Sequence, residues 1–524
     1  MNPMKKIVVL LLALVMALAL AVPAAASTVS NSTGHAYNAY QIFRGTQSTT
    51  SSALGDAAWG TGIKSGDFLA ALKADSRFIV SSKNLFADCT TAADVAAVMA
   101  DQSDGSDVAR AFADVAARHL TSTATAIAAG ATSVNLNAGY YLLVDTTAPG
   151  VGDAMNSALL QVTNKGDITI QKKYEVPSVD KSVMDTDGNW GEAADWCIGS
   201  SVPFRLVGTL PGNYDDYETY RYVFHDTLST GLQYKGDVKV YVRNGSVDTE
   251  LTTGYTVTPN AAATAGGGSL TITFDNLKTV ASVTSDSEIV VKYTAKLLNT
   301  AVIGQPGNPN EVYLEYASNP NFSGTGTPPT SHTPEDTVLV FTYQLNVNKV
   351  DGADTTKHLS GAEFKLKCVK AETEATWNGK WVTVADNKVT GWVDTQDKGT
   401  ALTTGTDGLA WVAGLDAGTY ELYETKAPVG YNRVKDPITI VIAATLDKGE
   451  NTPALTALTI KVGSGAAEDG NMAGGTATTT VQNNAGATLP ETGGIGTTLF
   501  YIIGGTLMVG AAVFLVIRKR MNNK

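Results

Sequence analysis

Apolar and polar residues alternate through much of the middle of the chain. Residues 269–274 read Ser-Leu-Thr-Ile-Thr-Phe, residues 239–243 read Lys-Val-Tyr-Val-Arg, and Glu288 to Leu297 is rich in β-branched and aromatic residues. A period of two buries one face of a segment and wets the other, which predicts half-buried strands. Turn signals separate them, at Asn244-Gly245, Gly266-Gly267-Gly268 and Asn378-Gly379. Many short strands punctuated in this way predict a mainly β chain of tandem Ig-like β-sandwiches. Residues 66–120 break the pattern. Phe68 to Leu72 and Ala93 to Leu120 are Ala-rich with helical spacing, which places a helical insertion in the first domain.

Composition narrows the classes. The chain has 524 residues, where roughly 100–200 per domain is usual, so about three domains are expected. Apolar residues make up 44% of it, enough for packed cores. The net charge of −12 argues against a nucleic-acid binder, which must neutralise phosphates. Three scattered cysteines, Cys89, Cys197 and Cys368, cannot form a disulfide framework, and five histidines leave little for a His-based site. No G-x-S-x-G, H-E-x-x-H, P-loop or paired-cysteine metal motif occurs. Asp185-Thr-Asp-Gly188 and the residues after it, to Glu192, faintly resemble a calcium loop but lack its ligand spacing, so they read as a hairpin turn. Neither metal nor cofactor is expected.

Both ends read as targeting signals. Lys5 and Lys6 precede an apolar run from Ile7 to Val22 and a small-residue site at Ala24-Ala25-Ala26, a secretory signal peptide cut after Ala26. At the other end, Leu489-Pro490-Glu491-Thr492-Gly493 precedes an uncharged stretch from Gly494 to Ile517 and then Arg518, Lys519, Arg520 and Lys524. The stretch is long enough to cross a bilayer, and the basic cluster holds its end in the cytoplasm. This order resembles the sorting signal of Gram-positive surface proteins. The resemblance implies that a sortase thiolate attacks the Thr492 carbonyl, that Gly493 leaves, and that an amine resolves the acyl-enzyme.

An internal repeat lies between these signals. Ala138-Gly-Tyr-Tyr-Leu-Leu-Val-Asp145-Thr-Thr-Ala-Pro149 matches Ala417-Gly-Thr-Tyr-Glu-Leu-Tyr-Glu424-Thr-Lys-Ala-Pro428 in register. The segment Tyr420 to Tyr431 resembles the E-box of Gram-positive pilins. Pro177-Ser-Val-Asp-Lys181 and His225 to Leu232 resemble the isopeptide-forming fimbrial domain, and Asn308 to Tyr316 resembles its closing strand. Leu345 to Gly352 resembles the first strand of a collagen-adhesin B-type domain. The implied division is a signal peptide at 1–26, an N-terminal pilin domain at 27–174 and a fimbrial domain at 175–343. A collagen-adhesin B-type domain follows at 344–486, then the sorting signal, membrane helix and basic tail at 487–524.

The resemblance implies intramolecular Lys–Asn isopeptide bonds, with the pair on first and last strands that neighbour each other. A buried, neutral lysine amine attacks the Asn carboxamide, a buried acid promotes the reaction, and ammonia leaves. It assigns Lys181, Asn310 and Asp226 to the middle domain, with Asn308 as competing acceptor. It assigns Lys349, Asn483 and Glu424 to the C-terminal domain, with Asn484 competing. The first domain departs from the pattern. Asp145 holds the acid position and Asn164 a closing position, but the expected first strand, Ala36 to Phe43, contains no lysine, so no bond is expected there. The pilus-linkage lysine falls at Lys173, with Lys172 as rival, although Gln171-Lys172-Lys173-Tyr174 departs from the family's Tyr-Pro-Lys-Asn pattern.

The implied protein is an exported shaft subunit, held first in the membrane and then covalently in a cell-wall pilus, with a role in adhesion. It is a sortase substrate and not an enzyme, its isopeptide chemistry occurring once per bond. Expected partners are pilus-type and housekeeping sortases, copies of itself, peptidoglycan, minor pilins and a host-surface ligand. The alternative is a non-polymerising wall-anchored adhesin that binds through the insertion at 66–120.

Overall fold

The computed structural model describes residues 27–47, 53–162, 167–171, 175–185, 188–322, 326–371, 375–449, 452–487 and 495–522. Strand Tyr37–Gln47 organises the first sheet. It pairs antiparallel with Leu54–Trp59, Thr125–Ile127 and Gly139–Asp145, and the last of these pairs with Ser157–Val162. A smaller sheet places Ser27–Asn31 between Val134–Leu136 and a parallel partner, Ile168–Ile170. The first described strand is therefore Ser27–Asn31, ahead of the expected Ala36–Phe43 segment; neither contains a lysine.

The helical insertion is present, as Ser65–Ala74, Ala92–Ala100 and Asp107–Ala117. The long Ala-rich run is broken in two. Gly105 takes φ +69°, and the Ser106 hydroxyl accepts from Ala109 N at 3.2 Å to cap the next helix. Thr91 and Asp94 form a capping box at the start of Ala92–Ala100. Phe68 and Phe112 meet edge to face at 5.2 Å and pack with Phe43 and Tyr140 of the sheet, which ties the insertion to one core.

The middle of the chain forms two facing sheets. One runs Trp190–Gly191, Val179–Met184, Ser201–Gly208, Glu288–Leu297, Lys239–Asn244, Val247–Leu251. The other runs Ala193–Asp195, Asp336–Phe341, Asn308–Ala317, Tyr222–Leu228, Gly268–Phe274, Thr256–Pro259. The alternating segments are strands as expected, and Gly245 turns the hairpin after Asn244 with φ +63°.

In the C-terminal part, Tyr343–Asp351 lies between antiparallel Leu409–Leu415 and parallel Thr476–Asn483. Its buried side chains join those of the middle sheets in one continuous apolar cluster. Gly304 N donates to Thr342 O at 2.9 Å, and Ile198 N to Gly414 O at 2.9 Å. Backbones touch at this junction: a Cβ on Gly304, which has φ +69°, would sit 2.1 Å from Gly475 N. Helix Ile495–Met521 follows, and its segment Thr498–Met521 is long and apolar enough to cross a membrane, with mean hydropathy 2.3.

Candidate functional site

Lysine is rarely buried without a partner. Two lysines here, Lys181 and Lys349, are 0% exposed. Each sits at an inward position of a strand whose alternation would otherwise call for an aliphatic residue, and each lies at the centre of a buried polar cluster.

Lys181 lies on Val179–Met184, between the rings of Phe204 and Tyr293, whose centroids are 5.8 and 5.9 Å from its Nζ. Its amine is hydrogen-bonded to Asp226 Oδ2 and reaches Tyr293 Oη at 3.4 Å. Tyr293 Oη donates to Asp226 Oδ1 at 2.9 Å and accepts from Asn310 Nδ2 at 2.7 Å. Lys181 and Tyr293 come from one sheet, Asp226 and Asn310 from the facing one. Leu228 pairs with Asn310, which puts Asp226 and Asn310 on the same inward face, two positions apart. Burial pushes the Lys181 amine down and the Asp226 carboxyl up. Both shifts favour the neutral pair, a nucleophilic amine beside an undissociated acid.

Lys349 lies on Tyr343–Asp351, alongside its parallel partner Thr476–Asn483. Asp351 is in register with Asn483, so the lysine reaches two positions along to hydrogen-bond Asn483 Oδ1. It also donates to Val481 O at 3.0 Å. Glu424, from Gly418–Lys426, accepts from Asn483 Nδ2 at 2.8 Å and from Val434 N at 2.6 Å, and its Oε1 is 3.7 Å from the amine. Burial lowers the Lys349 amine to about 8.

The competing residues fare differently. Asn308 is buried but engaged: its Oδ1 accepts from Val302 N at 2.8 Å, and its Nδ2 donates to Val302 O and Val340 O, each at 3.0 Å. Asn484 is exposed, on the opposite parity from Asn483. One expectation needs correction. Lys181 and Asn310 are not on neighbouring first and last strands. They face each other across the core, and Asp336–Phe341 follows Asn308–Ala317 and pairs along its edge. Neighbouring strands hold the pair only in the C-terminal site.

In the first sheet, Asp145 is buried against a histidine. His35 is 2% exposed, with Nδ1 2.6 Å from Asp145 Oδ2 and Nε2 2.8 Å from Asp153 Oδ2. Asp185 forms a turn, accepting from Asn189 N at 2.9 Å, and meets Lys448 at 2.5 Å. Residues 1–26, Asn164, Lys172, Lys173 and the motif Leu489, Pro490, Glu491, Thr492 and Gly493 lie outside the described residues. Sequence reasoning missed Tyr293 and His35. Tyr293 falls in the inward row Ile289, Val291, Tyr293, Ala295, Leu297, where a hydroxyl among aliphatic residues is the one available signal.

Comparisons with known proteins bear on these clusters. Residues 198–320 match the model of the Gram-positive pilin backbone subunit 2, Cna-B-like domain. Residues 343–453 match a prealbumin-like fold domain, and residues 481–524 match the LPXTG cell wall anchor motif. The trypsin-resistant surface T6 protein of Streptococcus pyogenes serotype M6 is 26% identical over 405 residues, 66% of this chain and 70% of that relative. Together the pilin domain models, the anchor motif and the T6 relative support a sortase-assembled Gram-positive backbone pilin. The solved T6 backbone pilin of that serotype, described as a modular three-domain structure, shares the fold, with TM-score 0.51 and 16% identity over 89% of this chain and all of that one. The group B streptococcus pilus 2b backbone protein is 23% identical, with TM-score 0.40, over 59% of this chain and 98% of its own. The anchor motif and the apolar helix make this a cell-surface protein, wall-anchored from a membrane-held precursor.

Proposed function

We propose that this pilin is the shaft subunit of a covalent pilus, divided at 27–174, 175–343 and 344–486, and closed by two intramolecular bonds, Lys181–Asn310 and Lys349–Asn483. The observation that carries the reading is the C-terminal cluster. A buried amine rests on the Asn483 carboxamide, and Glu424 holds the nitrogen that must leave. The amine attacks Cγ, the new C–N bond replaces the old one, and the nitrogen departs as ammonia. Each bond closes a loop of about 130 residues, and in the chain-entropy account such closure contributes about 4–5 kcal/mol. Unlike a disulfide, the closure resists reduction. Each reaction occurs once, so the chain is a substrate and a material, not a turnover catalyst.

Polymerisation uses the sorting motif. A pilus-type sortase takes Thr492 as its acyl group, and Lys173 of another copy resolves it; Lys172 is the rival nucleophile. A housekeeping sortase transfers the finished polymer to peptidoglycan, and minor pilins and a host-surface ligand complete the partner set. An immunoblot of detergent-boiled wall extracts tests this, comparing wild type with Lys173→Ala. A high-mass ladder that collapses in the variant supports it. A ladder that persists moves the nucleophile to Lys172. Monomer in both replaces the shaft with a singly anchored adhesin.

A further inference from the structure

We infer that Tyr293 is a catalytic residue of the middle-domain cross-linking reaction, carrying the proton that frees the leaving nitrogen of Asn310. The inference rests on the Lys181–Asn310 bond proposed above. The two sites solve one problem differently. In the C-terminal cluster the acid touches the leaving nitrogen directly, Glu424 to Asn483 Nδ2 at 2.8 Å. In the middle cluster Asp226 spends one oxygen on Lys181 and the other on Tyr293, and among the described residues it has no hydrogen bond to Asn310. The path from acid to leaving group runs through the phenol, 2.9 Å from Asp226 Oδ1 and 2.7 Å from Asn310 Nδ2. Tyr293 is buried, and burial beside Asp226 holds its phenol high, so the proton is present for delivery.

The proton count closes. Neutral Lys181 attacks Asn310 Cγ and forms the C–N bond. As the tetrahedral centre develops, Asn310 Nδ2 loses amide character and gains a basic lone pair. The Tyr293 hydroxyl turns from Asp226 Oδ1 to that nitrogen, delivers its proton there and is refilled by the acid proton from Asp226 Oδ1, while Asp226 Oδ2 takes the proton that Lys181 sheds. The Cγ–Nδ2 bond breaks and ammonia departs. Asp226 and Tyr293 end as they began, and no further reactant enters. Among the described residues, Asn310 Oδ1 is buried without a hydrogen-bond partner and Tyr293 is the group that orients the carboxamide.

The test compares full-length wild type with Tyr293→Phe in cell-free synthesis, quenched at intervals and digested. The Lys181–Asn310 peptide is quantified against the Lys349–Asn483 peptide, which serves as an internal clock. The variant is expected to form the middle link roughly 100-fold more slowly, within the usual span for a lost acid–base group, at an unchanged C-terminal rate. Equal middle-link rates overturn the inference. Absence of the middle link from wild type fails the cross-link reading itself, a different result. Because Tyr293→Phe also removes a hydrogen bond from the core, a fluorinated, more acidic tyrosine at 293 provides a second arm that keeps the hydroxyl. A proton-transfer role moves the alkaline loss of rate to lower pH, whereas an unchanged profile overturns the inference.

Discussion

The two lysine clusters carry the same residue types in different architectures. In the C-terminal part the amine and the carboxamide sit on adjacent parallel strands, and the backbone register alone brings them together. In the middle part they project from facing sheets and meet through packing across the core. In the first, Glu424 touches the asparagine directly. In the second, Asp226 spends its two oxygens on Lys181 and Tyr293, and the phenol stands between acid and asparagine. The first sheet supplies a third case, in which the acid at the repeat position is hydrogen-bonded to His35 and the strands carry no lysine. With Lys173 and Thr492 as the proposed joints, tension along the shaft enters after the first domain. On that proposal the first domain, where no bond is expected, lies outside the path of load, and the two domains proposed to be cross-linked lie within it.

The largest expected effect comes from deleting either bond. Lys181→Met and Lys349→Met each restore the mass of one ammonia. Each lowers stability by about 4–5 kcal/mol, because the loops are of nearly equal length. The loss in each variant against wild type, measured by calorimetry, checks this, and unequal losses would show that site architecture, not loop closure, sets the gain. Next comes the histidine. His35→Leu leaves two carboxylates facing each other, one fully buried, and costs the first domain about 3 kcal/mol in its own melting transition.

The pH dependence of bond formation separates the two lysine sites further. Lys349 must give its proton to solvent, and its folded value lies at about 8, below the ordinary 10.5. Its closure is expected to quicken tenfold per pH unit below 8 and to level off above it. A variant that cannot close, such as Asn483→Ala, gains stability as pH rises from 8 to 10.5, because there the unfolded chain binds the extra proton. Lys181 hands its proton to Asp226 without exchange with solvent, so closure there is flat over the same range. Timed digests at several pH values distinguish the two. The smallest expected effect is at the junction. Lys448→Ala removes the half-exposed pair with Asp185 and is expected to cost 1 kcal/mol or less, roughly the worth of a surface pair, in denaturant titration.

How much of this was legible follows from parity and chemistry. Period-two alternation located Lys239–Asn244, Gly268–Phe274 and Glu288–Leu297, because each has one wet face. It also separates Asn483 from Asn484, which point to opposite sides. It cannot separate Asn308 from Asn310, since both point inward; only the bonds that pin Asn308 to Val302 and Val340 do so. Tyr293 was hidden because an inward tyrosine reads as core until its hydroxyl is placed. The break in the Ala-rich run depended on one glycine at positive φ, and His35 on a loop packing that no local motif encodes.

The most direct measurement is peptide mapping by mass spectrometry of the wild-type protein after proteolysis. The account predicts two branched peptides, Lys181 joined to Asn310 and Lys349 joined to Asn483, each lighter by one ammonia than its unlinked parts. Recovery of the four residues on separate, unmodified peptides would contradict it.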